Sequence, residues 1–236
     1  MKVYPIFFNI DGKPCLVVGG GAVGARKVED LLAAGARVTV ISRTAIPELL
    51  ALAERGLITF RQEDFAPAHL EGMVLAIAAT NDQRTNEAVS AAAQARGLPV
   101  NVVDKPSLCS FVVPATIRRG DLVLAIGTGG KSPALAKRLR QDLEKTFGPE
   151  YGPYVELLGA IREAVLAVRR DHPDNLTLFS RIVASPLLEG LRAGDLERLR
   201  GLLAELLGAV LPAARVQTLQ EQAAALCQAA TPPRPA

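Results

Sequence analysis

Residues 15–27 read CLVVGGGAVGARK, and this stretch decides the fold of the first half of the chain. A short apolar run, Cys15–Val18, leads directly into a Gly-x-Gly-x-x-Gly motif that opens a helix-forming segment. In such a strand–turn–helix unit, Gly19 allows the tight turn, Gly21 lets a pyrophosphate approach the backbone, and Gly24 lets the helix pack on the strand. The sequence therefore predicts a dinucleotide-binding turn.

The helix after the motif would direct its first backbone N–H groups, including those of Ala22 and Val23, at the phosphates. The positive end of the helix dipole adds to this attraction. A plain structural turn is the alternative interpretation of the three glycines, and the motif by itself does not exclude it.

The composition excludes several classes of protein. With 49% hydrophobic and 22% charged residues among 236, the chain can bury a substantial core. An aromatic content of 4% without Trp argues against nucleic-acid binding by base stacking, and no apolar run is long enough to span a membrane. Three widely spaced cysteines, two histidines and no secretion-signal pattern favour a cytoplasmic protein without a disulfide framework or a fixed metal site.

Strand and helix patterns alternate over the first 110 residues. Because the strands are continuous apolar runs, the alternation predicts a Rossmann-like α/β fold with a parallel sheet covered on both faces. The predicted strands are Cys15–Val18, Arg37–Ser42, Ile58–Arg61, Met73–Ala79 and Leu98–Val103, and the predicted helices are Ala22–Ala34, Pro47–Arg55 and Asn86–Arg96.

The pattern changes after Asp104. Strands are predicted at Phe111–Val113 and Leu122–Ile126, and Ser132-Pro133 is typical of the start of a helix, here one running to about Phe147. Helical spacing dominates from Tyr151 onward, with later helices predicted at Leu176–Ala184, Pro186–Ala193 and Leu196–Leu211. We therefore expect a Rossmann domain over residues 1–110, a small α+β segment over 111–149, an all-helical region over 150–230 and a tail over 231–236.

Ligands of open α/β sheets bind beyond the carboxyl ends of the strands, which makes the polar residues there the candidate site. Ser42 and Arg43 follow the second strand, where an NAD site usually has an acidic residue. Ser42 can hydrogen-bond a ribose, and Arg43 can stack on adenine or meet a 2′-phosphate, which would favour NADP. A solvated arginine is the alternative interpretation.

Two further polar groups end predicted strands. Thr80, Asn81 and Asp82 follow the fourth strand and can contact the nicotinamide ribose, or Asn81 or Asp82 can simply cap the next helix. Asp104 ends the fifth strand beside Lys105, where a carboxylate suits a general base; a loop cap or an ion pair with Lys105 is the alternative.

Several segments, in order, resemble the precorrin-2 dehydrogenase and sirohydrochlorin ferrochelatase family, which forms the N-terminal part of siroheme synthases. The resemblance covers about residues 3–143. The segments that carry it are Tyr4–Phe8, Val17–Lys27, Ile77–Asp82, Asn101–Asp104, Cys109–Ala115 and Gly129–Ala136.

This resemblance implies NAD⁺-dependent oxidation of precorrin-2 to sirohydrochlorin, with insertion of Fe²⁺ as a second activity of many members. It implies that Asp104 serves both reactions as a base and can hold the metal transiently. It also implies a homodimer in which the segment Phe111–Phe147 is exchanged or interlocked between subunits.

The substrate so implied is a macrocycle with eight carboxylates, which calls for cations and polar donors. The resemblance places a hydroxyl at Thr128, near the Gly-Gly pair, where some members have serine. With Thr128, we expect Asn101, Lys105 and Lys131 to contact the substrate. Further basic residues around the expected cleft are Arg118, Arg119 and Lys137.

Two alternatives to the dehydrogenase remain open at this point. One is a chelatase or tetrapyrrole carrier whose dinucleotide site is weak or lost. The other is a nucleotide-sensing regulatory module in which cofactor binding shifts a dimer interface, since Rossmann domains also serve that purpose.

Overall fold

The computed structural model describes residues 2–230, and the tail expected at residues 231–236 lies outside them. The chain forms two compact units, one ending at Val113 and the other beginning at Pro114. Each unit has its own buried cluster of hydrophobic side chains.

The first unit is a five-stranded parallel sheet in the order β3-β2-β1-β4-β5. This confirms the predicted Rossmann-like sheet, in which chain reversal beside β1 brings two loops together at the carboxyl edge. The strands are β1 Pro14–Val18, β2 Arg37–Ile41, β3 Ile58–Arg61, β4 Leu75–Ala78 and β5 Val100–Val102, and the helices are α1 Ala22–Leu32, α2 Pro47–Glu54 and α3 Gln83–Gln94.

Alternate residues of the strands are buried on opposite faces of the sheet. Val17 packs with Val28 of α1 and Leu49 of α2, whereas the neighbouring Leu16 packs with Val89 of α3. Burial on both faces explains why these strands are continuous apolar runs in the sequence.

The prediction of a strand at Phe111–Val113 is wrong. This segment follows a 3-10 turn at Pro106–Leu108 and lies beside the outer edge of β5, where Ser110 N–H donates to the Val100 carbonyl at 2.9 Å. The next strand begins only after Pro114, whose nitrogen cannot donate a hydrogen bond.

The second unit begins with an antiparallel hairpin of β6 Ala115–Arg119 and β7 Leu122–Ile126, against which α4 Pro133–Thr146 packs. Five helices follow in the part of the chain up to residue 230, and their apolar faces form one core around residues such as Leu157, Ile161 and Leu203. They are α5 Tyr151–Arg169, α6 Asn175–Ala184, α7 Leu187–Ala193, α8 Leu196–Leu207 and α9 Ala213–Ala230.

The helix predicted over Leu196–Leu211 ends earlier than expected, at Leu207. Gly208 closes α8, and Pro212 stands directly before α9, where its missing N–H costs no helical hydrogen bond. Within residues 2–230, no helix combines the length and the apolar character needed to cross a membrane.

The glycine turn sets how closely α1 approaches β1. A Cβ added to Gly24 would collide with the Gly19 carbonyl oxygen, well inside the 3.0 Å that real Cβ contacts respect. A Cβ on Gly21 would meet no atom within 4 Å. The two glycines therefore have different roles, one in packing and one at an open surface.

We expect Gly24→Ala to lower the free energy of unfolding by about 2–3 kcal/mol, because the helix must move off the strand. Gly21→Ala is the matched control, with an expected loss below about 1 kcal/mol, since only the helix cap is weakened. Urea unfolding followed by circular dichroism measures both variants. Equal losses would contradict the packing role of Gly24.

Candidate functional site

The glycine loop lies at the carboxyl end of β1 in a conformation that excludes side chains. Gly19 has φ 124°, and a Cβ there would collide with the Ala79 carbonyl of the loop after β4. The loop is therefore pressed between its own helix and the neighbouring strand end. This fixes the start of α1 at the carboxyl edge of the sheet.

The start of α1 offers what a pyrophosphate needs. Gly21 caps the helix in extended conformation without any side-chain hydrogen bond, and the first turn holds no acidic residue. Ala22 is exposed, and the first N–H groups of a helix have no partner within it. The residues present thus fit the phosphates of a dinucleotide, bound by backbone donors and the helix dipole.

The loop after β2 is bonded to this glycine loop. Gly20 N–H donates to the Ser42 hydroxyl at 3.0 Å, and Ile46 N–H donates to the Gly20 carbonyl at 2.9 Å. The Ser42 hydroxyl therefore accepts one hydrogen bond from the backbone of the glycine loop, while its own proton stays available for a ribose.

Arg43 forms an ion pair that the sequence pattern did not reveal. Its Nε donates to the carboxylate of Asp64, in the loop after β3, and its carbonyl accepts from Gln62 Nε2 at 3.1 Å. The hydrogen bond to Asp64 raises the pKa of the Arg43 guanidinium above its ordinary value. The sequence signal for this pair was the acidic residue Asp64 after the next predicted strand, at the same edge of the sheet.

Asp82 caps α3, as one of the two interpretations predicted. Its carboxylate accepts from Arg84 N–H at 3.1 Å and Thr85 N–H at 3.3 Å. The Thr85 hydroxyl also donates to it, and this bond is the main cause that lowers the pKa of Asp82. Because Asp82 is the N-cap, α3 starts at Gln83, three residues before the predicted start at Asn86.

Thr80 is held by a buried amide that the sequence did not single out. The Thr80 hydroxyl and the Asn86 Oδ1 are 2.8 Å apart, and Asn86 Nδ2 donates to the Thr80 carbonyl at 2.9 Å. Asn81, between Thr80 and the cap, is exposed. The loop after β4 is thereby a fixed shelf with Asn81 at its surface.

Asp104 is the one residue other than glycine with positive φ in the described part of the chain, at 59°. Asp tolerates this left-handed conformation better than most residues, but its presence at a strand end is uncommon. Asp104 is exposed, and no hydrogen bond or ion pair within residues 2–230 engages its carboxylate. The ion pair with Lys105, which was one of the alternative interpretations, is not formed.

The turn that presents Asp104 is held on both sides. Val103 N–H donates to the Ala78 carbonyl at 3.0 Å, which ties the turn to β4. On the outer side, Val102 N–H donates to the Cys109 sulfur at 3.1 Å. Asn101 Nδ2 donates to the Phe111 carbonyl at 3.1 Å, so this amide, expected to meet the substrate, also holds the returning segment.

Thr128 and Lys131 lie in the second unit. Thr128 Oγ1 donates to the Ser132 carbonyl at 3.1 Å and accepts from Ser132 N–H at 3.2 Å, which shapes the Gly-Gly turn before α4. Lys131 is exposed, as are Lys105 in the first unit and Lys137 on α4. The Ser132 hydroxyl caps α4, as predicted.

The two arginines of the hairpin differ in surroundings. Arg119 Nε donates to the Phe147 carbonyl at 2.9 Å, whereas Arg118 is exposed. Both line an open cleft of about 500 Å³ within the second unit. No group of three or more His, Cys, Asp or Glu side chains in the described residues is arranged to hold a metal ion.

Two protein families match the chain. Residues 6–115 match the family described as "Putative NAD(P)-binding", and residues 119–146 match the family described as "Sirohaem biosynthesis protein central". The first match covers the parallel sheet and the glycine loop, and the second covers β7 and α4.

Curated relatives carry the name siroheme synthase. The chain is 42% identical to that of Nitrosomonas europaea over 210 residues, covering 88% of this chain and 44% of the relative. It is 46% identical to that of Methylobacillus flagellatus over 165 residues, covering 70% of this chain and 35% of the relative. The chain thus spans less than half the length of these relatives.

A solved structure titled "SirC, precorrin-2 dehydrogenase" has the same fold. It superposes with a TM-score of 0.68 at 23% identity, covering 94% of this chain and 98% of that one. This likeness confirms the predicted fold class, from the Rossmann-like sheet to the helical C-terminal region.

We expect Cys109→Ala to destabilise the turn that carries Asp104, because the buried Val102 N–H loses its acceptor, at a cost of about 1–3 kcal/mol. Cys109→Ser keeps an acceptor and should retain most of that stability. Hydrogen exchange at the Val102 amide, together with urea unfolding, measures the effect. Equal protection of this amide in the parent and in Cys109→Ala would contradict the assignment.

Proposed function

We propose that the chain belongs to the family that forms the N-terminal part of siroheme synthases, and that it oxidises precorrin-2 to sirohydrochlorin with NAD⁺. The observation that carries this proposal is the geometry of the sheet edge. A glycine loop suited to a pyrophosphate ends β1, and the carboxylate of Asp104, which has no partner within residues 2–230, ends β5. Only β4 separates these two strands.

The chain's own groups would position both reactants. The first N–H groups of α1, at Ala22 and Val23, would bind the pyrophosphate, and the Ser42 hydroxyl would donate to a ribose. Thr80 and Asn81 would form the shelf beside the nicotinamide half. NAD⁺ supplies, when bound, the acceptor for the hydride that leaves the macrocycle.

Asp104 would take the proton that leaves the macrocycle as the hydride departs. A carboxylate suits this role only if it is not already committed to a strong partner. The left-handed turn meets that condition, because it holds the backbone of Asp104 while leaving its side chain exposed. In the first unit, Lys105 and the amide of Asn101 would bind peripheral groups of the substrate. Within the second unit, Lys131 and the hydroxyl of Thr128 are further candidates for binding its carboxylates.

The same carboxylate favours a second reaction, the insertion of Fe²⁺ into sirohydrochlorin. Metal insertion displaces protons from pyrrole nitrogens, and a base within reach can accept them. Oxygen ligands also bind a divalent cation loosely enough to pass it on. In this reaction Fe²⁺ is a substrate, and the carboxylate of Asp104 would bind it only while it is being transferred to the macrocycle.

We further propose that the protein is a homodimer joined through residues 111–149. A two-stranded hairpin is marginally stable on its own, and β6–β7 forms a separate sheet. Leu135 and Leu139, one helical turn apart on α4, are 50% and 40% exposed in the single chain. An interface over α4 would cover both side chains and remove their apolar surface from water. Residues 1–110 would bind the dinucleotide and residues 150–230 would form the helical domain.

We also propose that the protein works in the cytoplasm. Cys15 and Cys109 are thiols, and unbridged cysteines suit a reducing compartment.

We expect Asp104→Asn to lower the rate of precorrin-2 oxidation by about 10²–10⁴-fold, because Asn cannot accept the proton. Asn tolerates the left-handed backbone, so the turn should persist. The rate is followed anaerobically by the absorbance change to sirohydrochlorin, and NAD⁺ affinity by calorimetry should stay within twofold of the parent.

Asp30→Asn on the exposed side of α1 is the control for this substitution and should retain the parental rate. A near-parental rate in Asp104→Asn would remove Asp104 as the base. Dinucleotide binding without any oxidation by the parent would contradict the dehydrogenase and favour the nucleotide-sensing module. Adding Fe²⁺ after oxidation tests the second reaction in the same cuvette.

For the dimer, we expect the double substitution Leu135→Glu, Leu139→Glu to convert the protein into a monomer, because two carboxylates would be buried at the interface. Size-exclusion chromatography with light scattering measures the mass. Leu176→Glu, at a leucine that is 80% exposed on α6, is the matched control and should remain dimeric. A parent that elutes as a monomer at micromolar concentration would contradict the proposal.

A further inference from the structure

The place usually reserved for the carboxylate that binds the adenosine ribose is occupied here by Ser42. A carboxylate still reaches this edge of the sheet, but from the next loop. Asp64 follows β3, which pairs with β2 in parallel, so the two strands end side by side. Arg61 carbonyl accepts from Ser42 N–H at 3.2 Å, which keeps the two loops together.

Arg43 is thereby held by neighbours of its own chain. Its Nε is bonded to Asp64, and its carbonyl is bonded to Gln62. Asp82, at the start of α3, adds a second favourable electrostatic interaction with the guanidinium. The guanidinium of Arg43 is thus paired with the carboxylate of Asp64 at the sheet edge beside the glycine loop.

We propose that Asp64 makes the protein select NAD over NADP by holding Arg43 in an ion pair and keeping its charge from a 2′-phosphate. This inference rests on the proposed dinucleotide site. A 2′-phosphate is a dianion that needs an uncommitted guanidinium, and beside Arg43 it would also meet the carboxylate of Asp64. The 2′-hydroxyl of NAD carries no such charge and meets no such repulsion.

The ion pair is well suited to a test by substitution. The Arg43 and Asp64 side chains are 79% and 71% exposed, and exposed pairs contribute little to stability. Removing either charge should therefore leave the fold intact. Glu63, the residue next to Asp64, contacts His69 and Arg61 instead and offers a control that removes the same charge from the same loop.

The experiment titrates the full chain with NADH and NADPH and follows nicotinamide fluorescence, in the parent and in Asp64→Ala, Glu63→Ala and Arg43→Gln. We expect Asp64→Ala to bind NADPH about tenfold more tightly, because the released guanidinium can pair with the 2′-phosphate. NADH affinity should change less than threefold. Adding Arg43→Gln to Asp64→Ala should abolish the gain, and Glu63→Ala should not produce it.

An unchanged ratio of the two dissociation constants in Asp64→Ala, with NADH binding intact, would overturn this inference and leave the proposed function standing. An equal gain in NADPH affinity in Glu63→Ala would also overturn the inference, because the gain would then come from the lower negative charge of the loop and not from the release of Arg43. Failure of the parent to bind either nucleotide would overturn both the inference and the proposed cofactor site.

Discussion

The site depends on two close backbone approaches in the first unit, at Gly19 and at Gly24. The Gly19 carbonyl occupies the space of a Cβ on Gly24, and the Ala79 carbonyl occupies the space of a Cβ on Gly19. These contacts lock three things together: the end of β1, the start of α1 and the end of β4. Any side chain at Gly19 or Gly24 would separate them. The helix start that suits a phosphate therefore follows from packing, and the absence of a side chain at Gly21 then leaves that start open.

A second constraint operates at the edge of the sheet. Because β5 has a neighbour on one side only, its outer N–H groups need partners from elsewhere, and Ser110 and Cys109 supply them through their side chains. The returning segment is thereby fixed against β5. The tight left-handed turn at Asp104 is the geometric consequence, since the chain must reverse within a few residues to reach that edge. The chain reversal that gives the outer N–H groups of β5 their hydrogen-bond partners is thus the same one that presents the carboxylate of Asp104.

Much of the first unit could be predicted because its strands are short apolar runs and its helices end at glycines, which are local patterns. The strand predicted at Phe111–Val113 failed because its β-branched and aromatic residues resemble a strand, while the bonds that decide its path involve Val100 and Asn101, ten residues earlier. Likewise, the pairing of Arg43 with Asp64 depends on β2 and β3 being neighbours, which no local window contains. Sequence patterns located the sheet edge; the partners across it required the structure.

The polar residues at this edge divide into two groups by what they contact. The side chains of four of them, Ser42, Thr80, Asp82 and Asn101, each hold a loop through hydrogen bonds to backbone groups. Asp104, Asn81 and Lys105 are exposed on the loops so held. A rigid scaffold of short polar side chains beneath exposed groups means that little ordering remains to be done when a ligand arrives, and this lowers the entropic cost of binding. Such a division also explains why polar residues at strand ends are ambiguous in sequence: capping and ligand binding demand the same residue types at adjacent positions.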